Sequence, residues 1–417
     1  MIPFSPPRID ERIIKEVNNT LRSGWITTGP KTKLLEKKLE EYTKCKRCIC
    51  LNSATAGLEL ALRWFGVGSG DEVILPAYTY SATANVIIHC GAKPVFADVG
   101  NDFNINAQEI KKHITSRTKV IMPVDFAGLP CRYDVINQIV CQKEVIRRFN
   151  PQTEAQRKLG RILILSDAAH SLGGWYKGKR TGSLTDITVF SFHAVKNLTT
   201  AEGGALCLNL PGPLDNKVIY EQLCIKSLHG QNKDALAKTQ AGSWKYDIIE
   251  AGYKYNMTDI LASIGLVEIE RYDCDTLKKR RYIFDRYNEA FRKYEWAELP
   301  LAEDRHRESS YHIFAMRIRD ISESERDEII SQIFSREVSV NVHFIPVPMM
   351  TFYRNQGYNI TDYPRAYDLY SREISLPVFY DLKDEQIDMI ISAVTGSVET
   401  VLALHSQDKY TLRYAEA

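Results

Sequence analysis

In the run Ser191-Phe192-His193-Ala194-Val195-Lys196-Asn197-Leu198, a lysine follows closely on an apolar, β-type stretch, Ile187 to Phe190, and precedes Glu202-Gly203-Gly204. A lysine on the turn after a buried strand can be desolvated enough to act as a nucleophile, which Schiff-base chemistry on an aldehyde requires. The chain holds 54 Lys and Arg residues, most of them solvated surface charges, so Lys196 gains meaning only from its companions.

Three other segments offer matching chemistry. In Leu51-Asn52-Ser53-Ala54-Thr55-Ala56-Gly57-Leu58 a strand ends in small hydroxyl residues that open a helix. Free backbone N–H groups and the helix dipole make a phosphate cradle there, with Ser53 and Thr55 as extra donors, although Ser and Thr also cap ordinary helices. Leu165-Ser166-Asp167-Ala168-Ala169-His170 delivers an aspartate at the carboxyl end of an apolar strand, where open α/β sheets bind ligands. Such an aspartate either caps a helix or keeps a heteroaromatic nitrogen protonated, turning the ring into an electron sink. His170 is placed to press on, or hydrogen-bond to, the same ring. Pro76-Ala77-Tyr78-Thr79-Tyr80-Ser81-Ala82-Thr83 ends another strand, and an aromatic side chain there could stack on a flat ligand or pack in the core. Ser191, five residues before Lys196, is available to a phosphate.

The elements that must position these residues alternate short β-branched runs with helical periods, the pattern of a sheet with crossover helices. Strands are predicted at Cys48–Leu51, Glu72–Leu75, Pro94–Asp98, Val120–Val124, Ile162–Leu165, Ile187–Phe190 and Ala205–Leu208. Several are apolar throughout, which suits strands buried on both faces of a mostly parallel sheet. Helices are predicted from Ala54 to Phe65, Tyr80 to His89 and Ala107 to Ile114. A polar stretch at 138–161 reads as a surface insertion with a solvated helical face. A long helical pattern runs from Thr258 through Tyr272 to about Tyr294. Beyond it, Tyr311–Ile318, a helix Ser322–Phe334, a strand Val338–His343 and a helix Asp384–Leu402 make a compact α/β unit. The expected division is 1–276 for a large domain and 277–417 for a smaller one.

A chain of 417 residues, 44% hydrophobic and 25% charged, can bury two or three cores. The net charge of +2 arises from well-mixed totals, which argues against nucleic acid as a partner. The N-terminal residues lack the features of a leader, and no later run is read as a membrane span, so the expectation is a cytoplasmic protein. Nine cysteines scattered along a long chain do not suggest a disulfide framework. Cys45, Cys48 and Cys50 invite a metal reading, but no second ligand pair follows at zinc-ribbon spacing. They are read as thiols on a strand entering the core, with no metal.

The order Ser53-Ala54-Thr55, Tyr80, Asp167-Ala168-Ala169-His170, Ser191 with Lys196, then Glu202-Gly203-Gly204 resembles the DegT/StrS group of sugar-nucleotide aminotransferases, fold-type I enzymes dependent on pyridoxal 5′-phosphate. Further landmarks stand in family order: Trp25-Ile26-Thr27-Thr28-Gly29-Pro30-Lys31, Gly91 to Asp98, Pro123 to Gly128, Gly252 to Asp259 and Ser375-Leu376-Pro377-Val378. The resemblance implies a large domain with a mostly parallel seven-stranded sheet between helices and a smaller C-terminal α/β domain. It implies Lys196 as the lysine that binds the cofactor aldehyde and shuttles the proton, Asp167 at the pyridine nitrogen and Tyr80 stacked on the ring. Ser53, Ala54, Thr55 and Ser191 would hold the phosphate, and His170 takes a place where many members have glutamine. It also implies a homodimer with active sites at the interface, Lys254 or Asn256 reaching the neighbouring subunit's phosphate.

Three positions depart from the family pattern: Ala54 replaces a glycine, Asp125 stands where histidine is frequent and would alter the pocket's charge, and Lys254 and Asn256 replace a usual Asn and Arg. The Lys-Tyr-Asn version looks most like the branch that aminates 4-keto nucleotide sugars. The implied activity moves an amine from glutamate to a keto sugar nucleotide, for cell-surface polysaccharide, lipopolysaccharide or glycoside biosynthesis. Two alternatives share the fold. A sugar dehydratase using pyridoxamine phosphate carries histidine at the lysine position, which Lys196 contradicts; a cofactor-binding regulator without turnover has no need of Lys196, Asp167 and the phosphate hydroxyls together. His229, His312 and His343 lie in family-like segments and could line the sugar or nucleotide pocket, but a structural or surface role is the reading preferred for each.

Overall fold

A computed structural model describes residues 1–232 and 245–415. The seven predicted strands form, as β1 (Arg47–Leu51), β2 (Glu72–Pro76), β3 (Lys93–Ala97), β4 (Thr118–Ile121), β5 (Leu163–Asp167), β6 (Ile187–Ser191) and β7 (Gly204–Leu208). They make one sheet in the order β1-β7-β6-β5-β4-β2-β3. Neighbours from β6 through β3 are parallel, while β7 runs antiparallel to both β1 and β6. The apolar runs are explained by burial: every residue of β2, β4, β5 and β7 is buried.

This topology places the site. The carboxyl ends of β1, β2, β5 and β6 share one edge of the sheet, and the reversal of β7 brings its amino end, Gly203-Gly204, to the same edge. Helix Ala54–Phe65 leaves β1 there and packs on the sheet at Gly57, where a Cβ would lie 2.8 Å from a methyl of Val189. Helix Ser81–His89 leaves β2 with Tyr80 as its N-cap residue.

Two cores organise the rest. The larger surrounds the main sheet; the second gathers Ile283, Phe284, Tyr287 and Phe291 with Phe314, Met316, Ile374, Leu376 and Ile387 to Val401. Its sheet has three antiparallel strands, Ala297–Glu298, Phe314–Ile318 and Glu373–Leu376. The long helix is two α-helices, Asp259–Arg271 and Leu277–Phe291, joined by a π-helical turn at Tyr272–Thr276. We propose the division at 277 on this change of core partner. It is not a clean cut in the packing, since Ile313, Val347, Tyr353 and Leu369 return to the larger core.

Other expectations need correction. Val338–His343 forms no strand, only single bridges from Val338 to Ile2 and from Asn341 to Ser375. The insertion at 138–161 exposes its lysines and Arg147, Arg148 and Arg157 as predicted, while Arg161 is held by Asp186, and the insertion is not wholly superficial. It holds short helices Lys143–Arg148 and Glu154–Leu159, buries Val145 and Phe149, and sends Gln156 inward to donate to the Phe65 carbonyl at 3.0 Å. Within the final helix, Asp384–Leu404 is long and apolar enough to cross a membrane, contrary to expectation. Its apolar residues have a use inside the protein: Ile387, Ile390, Val394, Val398 and Val401 are buried in the second core.

Candidate active site

At the shared sheet edge lies a cavity of about 340 Å³, lined by Ser53, Ala54, Thr55, Tyr80, Asp167, His170, Ser191 and Lys196 among others. Eight of the ten predicted site residues are therefore brought together from four separate segments. A larger cavity, about 500 Å³, shares only Ile313 with this one and holds none of the predicted residues. Of the three arginines on its wall, Arg307 is engaged by Asp102 and Asp304 and Arg317 by Glu298.

Ser53 caps helix Ala54–Phe65, its Oγ accepting from the Ala56 N–H at 3.1 Å. The first N–H groups of that helix open on the cavity, the arrangement that favours an anion. Gly204 makes the close approach possible: a Cβ there would stand 2.5 Å from the Ala54 nitrogen and 2.8 Å from the Phe190 carbonyl oxygen. Ser191 closes β6 on the other side.

Asp167, at the end of β5, is 6% exposed. Its Oδ2 accepts from Thr83 Oγ1 at 2.8 Å and its Oδ1 from the Ala169 N–H at 3.2 Å. Burial raises its carboxyl above the usual range, against the pull of Thr83, the Ala169 N–H and Lys196. Lys196 sits on the turn after β6, where its own N–H donates to the His193 carbonyl at 2.9 Å. Burial pulls its ammonium down to about 8, and only Asp167 works in the opposite direction. Desolvation thus prepares the amine, and the aspartate restrains the effect.

The imidazole of His170 stacks on Phe344 with centroids 5.8 Å apart and lies 4.4 Å from the His312 ring. Burial, then the charge on Lys196, holds His170 well below the ordinary histidine range, so it is neutral. Its Nδ1 is buried and has no hydrogen-bond partner among the described residues. Asn197 Nδ2 donates to the Ser310 carbonyl, so its Oδ1 accepts from His312 Nδ1, both at 2.7 Å. Tyr80, 60% exposed, flanks the entrance 5.8 Å from the ring of Phe344.

Lys254 and Asn256 are not on the cavity wall. The Lys254 side chain is exposed, and Asn256 Nδ2 donates to Thr28 Oγ1 at 2.6 Å. Asp125 does not alter the cavity's charge as anticipated, because it lies buried behind it. It accepts from the Cys131 N–H, Tyr133 and Ser171, and burial lifts its carboxyl to about 6. His312 and His343 line the cavity, the alternative to the structural role preferred for them, whereas His229 does not. Phe4 and Ser5 complete the wall, Phe4 stacking on His343 at 5.5 Å and Ser5 Oγ donating to the Val195 carbonyl at 3.3 Å. Thr83 had a signal available, one helical turn after Tyr80 at a strand-to-helix junction. Phe4 and Ser5 had none.

Fold and cavity together define the class: an α/β enzyme of fold-type I transferase architecture, its cavity built at the carboxyl edge of the sheet. The DegT/DnrJ/EryC1/StrS aminotransferase family model matches residues 7–147 and 152–395, and the chain belongs to that family and is an aminotransferase. Spr1654 of Streptococcus pneumoniae, described as a sugar aminotransferase and solved in its PMP form, is 47% identical with a TM-score of 0.92, covering 96% of this chain and all of that one. The spore coat polysaccharide biosynthesis protein SpsC of Bacillus subtilis is 37% identical over 95% of this chain and 97% of its own length. Helicobacter pylori PseC, an aminotransferase of pseudoaminic acid biosynthesis, is 28% identical with a TM-score of 0.84, over 96% of this chain and 99% of that one.

Proposed function

We propose that this chain transfers an amino group from glutamate to a keto sugar carried on a nucleotide, most suitably a 4-keto sugar, with pyridoxal 5′-phosphate as cofactor. The observation that carries the reading is the meeting of a desolvated Lys196, a buried Asp167 and the open N-terminus of helix Ala54–Phe65 on one cavity. The likeness to Spr1654, SpsC and PseC supports a sugar substrate and a role in surface polysaccharide or related glycoside synthesis.

The residues fit the cofactor. The backbone approach at Gly204 and the free N–H groups beside Ala54 suit a phosphate, with Ser53, Thr55 and Ser191 as hydroxyl partners. Asp167 would hold the ring nitrogen, Tyr80 would cover the ring, and the orphaned Nδ1 of His170 needs a polar partner that a ring substituent supplies. When bound, the cofactor provides the electron sink that stabilises negative charge at the substrate carbon. The protein's part is orientation and proton movement. Lys196 Nζ would take the proton from the substrate carbon and return it, and Asp167 would hold the cofactor's ring nitrogen protonated.

Lys254 and Asn256, which lie off the cavity of their own chain, suit a homodimer in which they serve the neighbouring site. Among the described residues the cysteines form no disulfide, which accords with a reducing, cytoplasmic setting. The test is spectroscopic. Holoenzyme should lose its yellow absorbance with glutamate and regain it with one of a panel of 3-keto and 4-keto nucleotide sugars. Failure of every keto sugar, alongside turnover of a simple amino-acid and keto-acid pair, overturns the reading.

A further inference from the structure

Behind the cavity wall a polar chain leads away from Lys196. His343 lines the cavity and its Nδ1 lies 2.9 Å from Ser375 Oγ. Ser375 Oγ lies 2.5 Å from Glu373 Oε1, and Glu373 Oε2 accepts from the His343 backbone N–H at 3.0 Å. Glu373 and Ser375 are 0% exposed. With Nδ1 turned inward to the serine, Nε2 is the ring nitrogen left to the cavity.

A serine hydroxyl has one proton to give, so this chain has two settings. With Glu373 ionised, Ser375 donates to the carboxylate and accepts from Nδ1–H, leaving Nε2 a bare acceptor. With Glu373 protonated, the acid donates to Ser375, whose own proton points at Nδ1, and Nε2 then carries the N–H. We propose that Glu373 is a positioning residue which, through Ser375, makes His343 Nε2 a hydrogen-bond donor to the keto oxygen of the sugar to be aminated. This deepens, and rests on, the sugar-aminotransferase reading. A donor at that oxygen polarises the carbonyl as charge develops on it.

The surroundings favour the donor setting. Arg326, on helix Glu323–Ser335, donates to the Tyr370 and Glu373 carbonyls at 2.7 and 3.2 Å and pairs with Asp327. Arg317 stands opposite Glu373 in the strand register but pairs with Glu298. Tyr78 donates to the His343 carbonyl at 2.5 Å, and Lys196, His170 and His312 face His343 across the cavity. Against the weaker pull of Ser375, the His343 N–H and the two arginines, burial lifts the Glu373 carboxyl to about 8, so it keeps its proton at neutral pH. Burial and then Lys196 push His343 down to about 4, so its ring stays neutral and only its tautomer changes.

Two variants and two readouts test this on the holoenzyme. Glu373→Gln retains an oxygen for the His343 N–H and offers a permanent N–H to Ser375, locking the donor setting; Ser375→Ala cuts the line. The nitrogen chemical shifts of labelled histidine, with His343→Gln used for assignment, should show Nε2–H at neutral pH. They should convert to Nδ1–H with a midpoint near 8 in the wild type and not convert in Glu373→Gln. An Nδ1–H tautomer at neutral pH, or a Glu373→Gln titration that follows the wild type, overturns the proposal without touching the aminotransferase reading. Kinetically, the half-reaction with a UDP-linked 4-keto-6-deoxyhexose, relative to the glutamate half-reaction, should fall as pH rises through about 8, and Glu373→Gln should remove that limb. Lys196 titrates in the opposite sense for a base, so a falling limb is not its own. Ser375→Ala should lower the same ratio roughly tenfold, the worth of one hydrogen bond. A ratio unchanged in Ser375→Ala, with the tautomer lost, overturns the donor role.

Discussion

In the proposed reaction Lys196 can attack an aldehyde or take up a proton only in its uncharged form, and its neighbourhood decides when that form exists. An exposed lysine titrates near about 10.4, whereas burial brings this one down to about 8. Below that value the ammonium dominates; above it the amine is free. Capture of added pyridoxal 5′-phosphate by the apoenzyme, followed by its absorbance, should accordingly accelerate with pH through about 8 and level off beyond. Asp167 makes a sharper test because it acts on Lys196 in the opposite direction to burial. Replacing Asp167 with Asn removes the only influence that raises the lysine, so the capture midpoint should move below that of the wild type. Turnover should nevertheless fall, by roughly 10²- to 10⁴-fold, because nothing then keeps the ring nitrogen protonated. A midpoint that rises, or turnover retained in Asp167→Asn, would contradict these roles. Lys196→Ala should abolish the glutamate-induced absorbance change altogether.

At the scale of elements, the site depends on how closely β7 passes the start of helix Ala54–Phe65. A methyl group on Gly204 would meet backbone on three sides, the Ala54 nitrogen, the Ser53 carbonyl carbon and the Phe190 oxygen, none of which can swing away like a side chain. Gly204→Ala should therefore cost about 1–3 kcal/mol of stability by overpacking and weaken cofactor binding by displacing the helix N-terminus. Thermal melting and equilibrium dialysis with the cofactor read the two effects; wild-type values in both would show that the approach is not tight. The sheet was legible because several of its predicted strands are apolar throughout, and the site because Ser53, Tyr80, Asp167 and Ser191 all stand at or just after strand ends. Val338–His343 misled for a related reason. Buried Val338 and Val340 alternate like a strand, yet their backbone finds only single bridges before the prolines at 346 and 348. His312 and His343 gave only a weak sign, their place in family-like segments, because an isolated histidine carries no period, and each is held at the cavity by a partner, Asn197 or Ser375, distant in sequence. Phe4 and Ser5 meet residues some 190 to 340 positions away, a closure that no local pattern encodes.

For the whole molecule, the proposed homodimer turns on whether Lys254 and Asn256, which do not line the cavity of their own chain, serve that of a partner. Both flank the segment that bridges back to β1 and the adjacent loop: Asn256 pairs with Leu51, and Lys254 accepts at its carbonyl from Asn52 Nδ2. They thus adjoin the end of β1, next to the proposed phosphate cradle, where a two-fold partner could present its own cradle to them. In such a dimer each site takes Lys196 from one chain and the contact at 254 or 256 from the other. A chain carrying Lys196→Ala and a chain carrying Lys254→Ala or Asn256→Ala would be individually inactive for opposite reasons. When subunits exchange at random, half the dimers are mixed, and in each of these one site has both wild-type contributions. Activity should then recover to roughly a quarter of the wild-type level with whichever of the two residues makes the contact. Recovery with Asn256→Ala alone would assign the role to the amide, and with Lys254→Ala alone to the ammonium. Exchange verified by mass spectrometry without recovery in either mixture would mean that each chain completes its own site, leaving the exposed Lys254 and the Thr28-bound Asn256 with structural roles only.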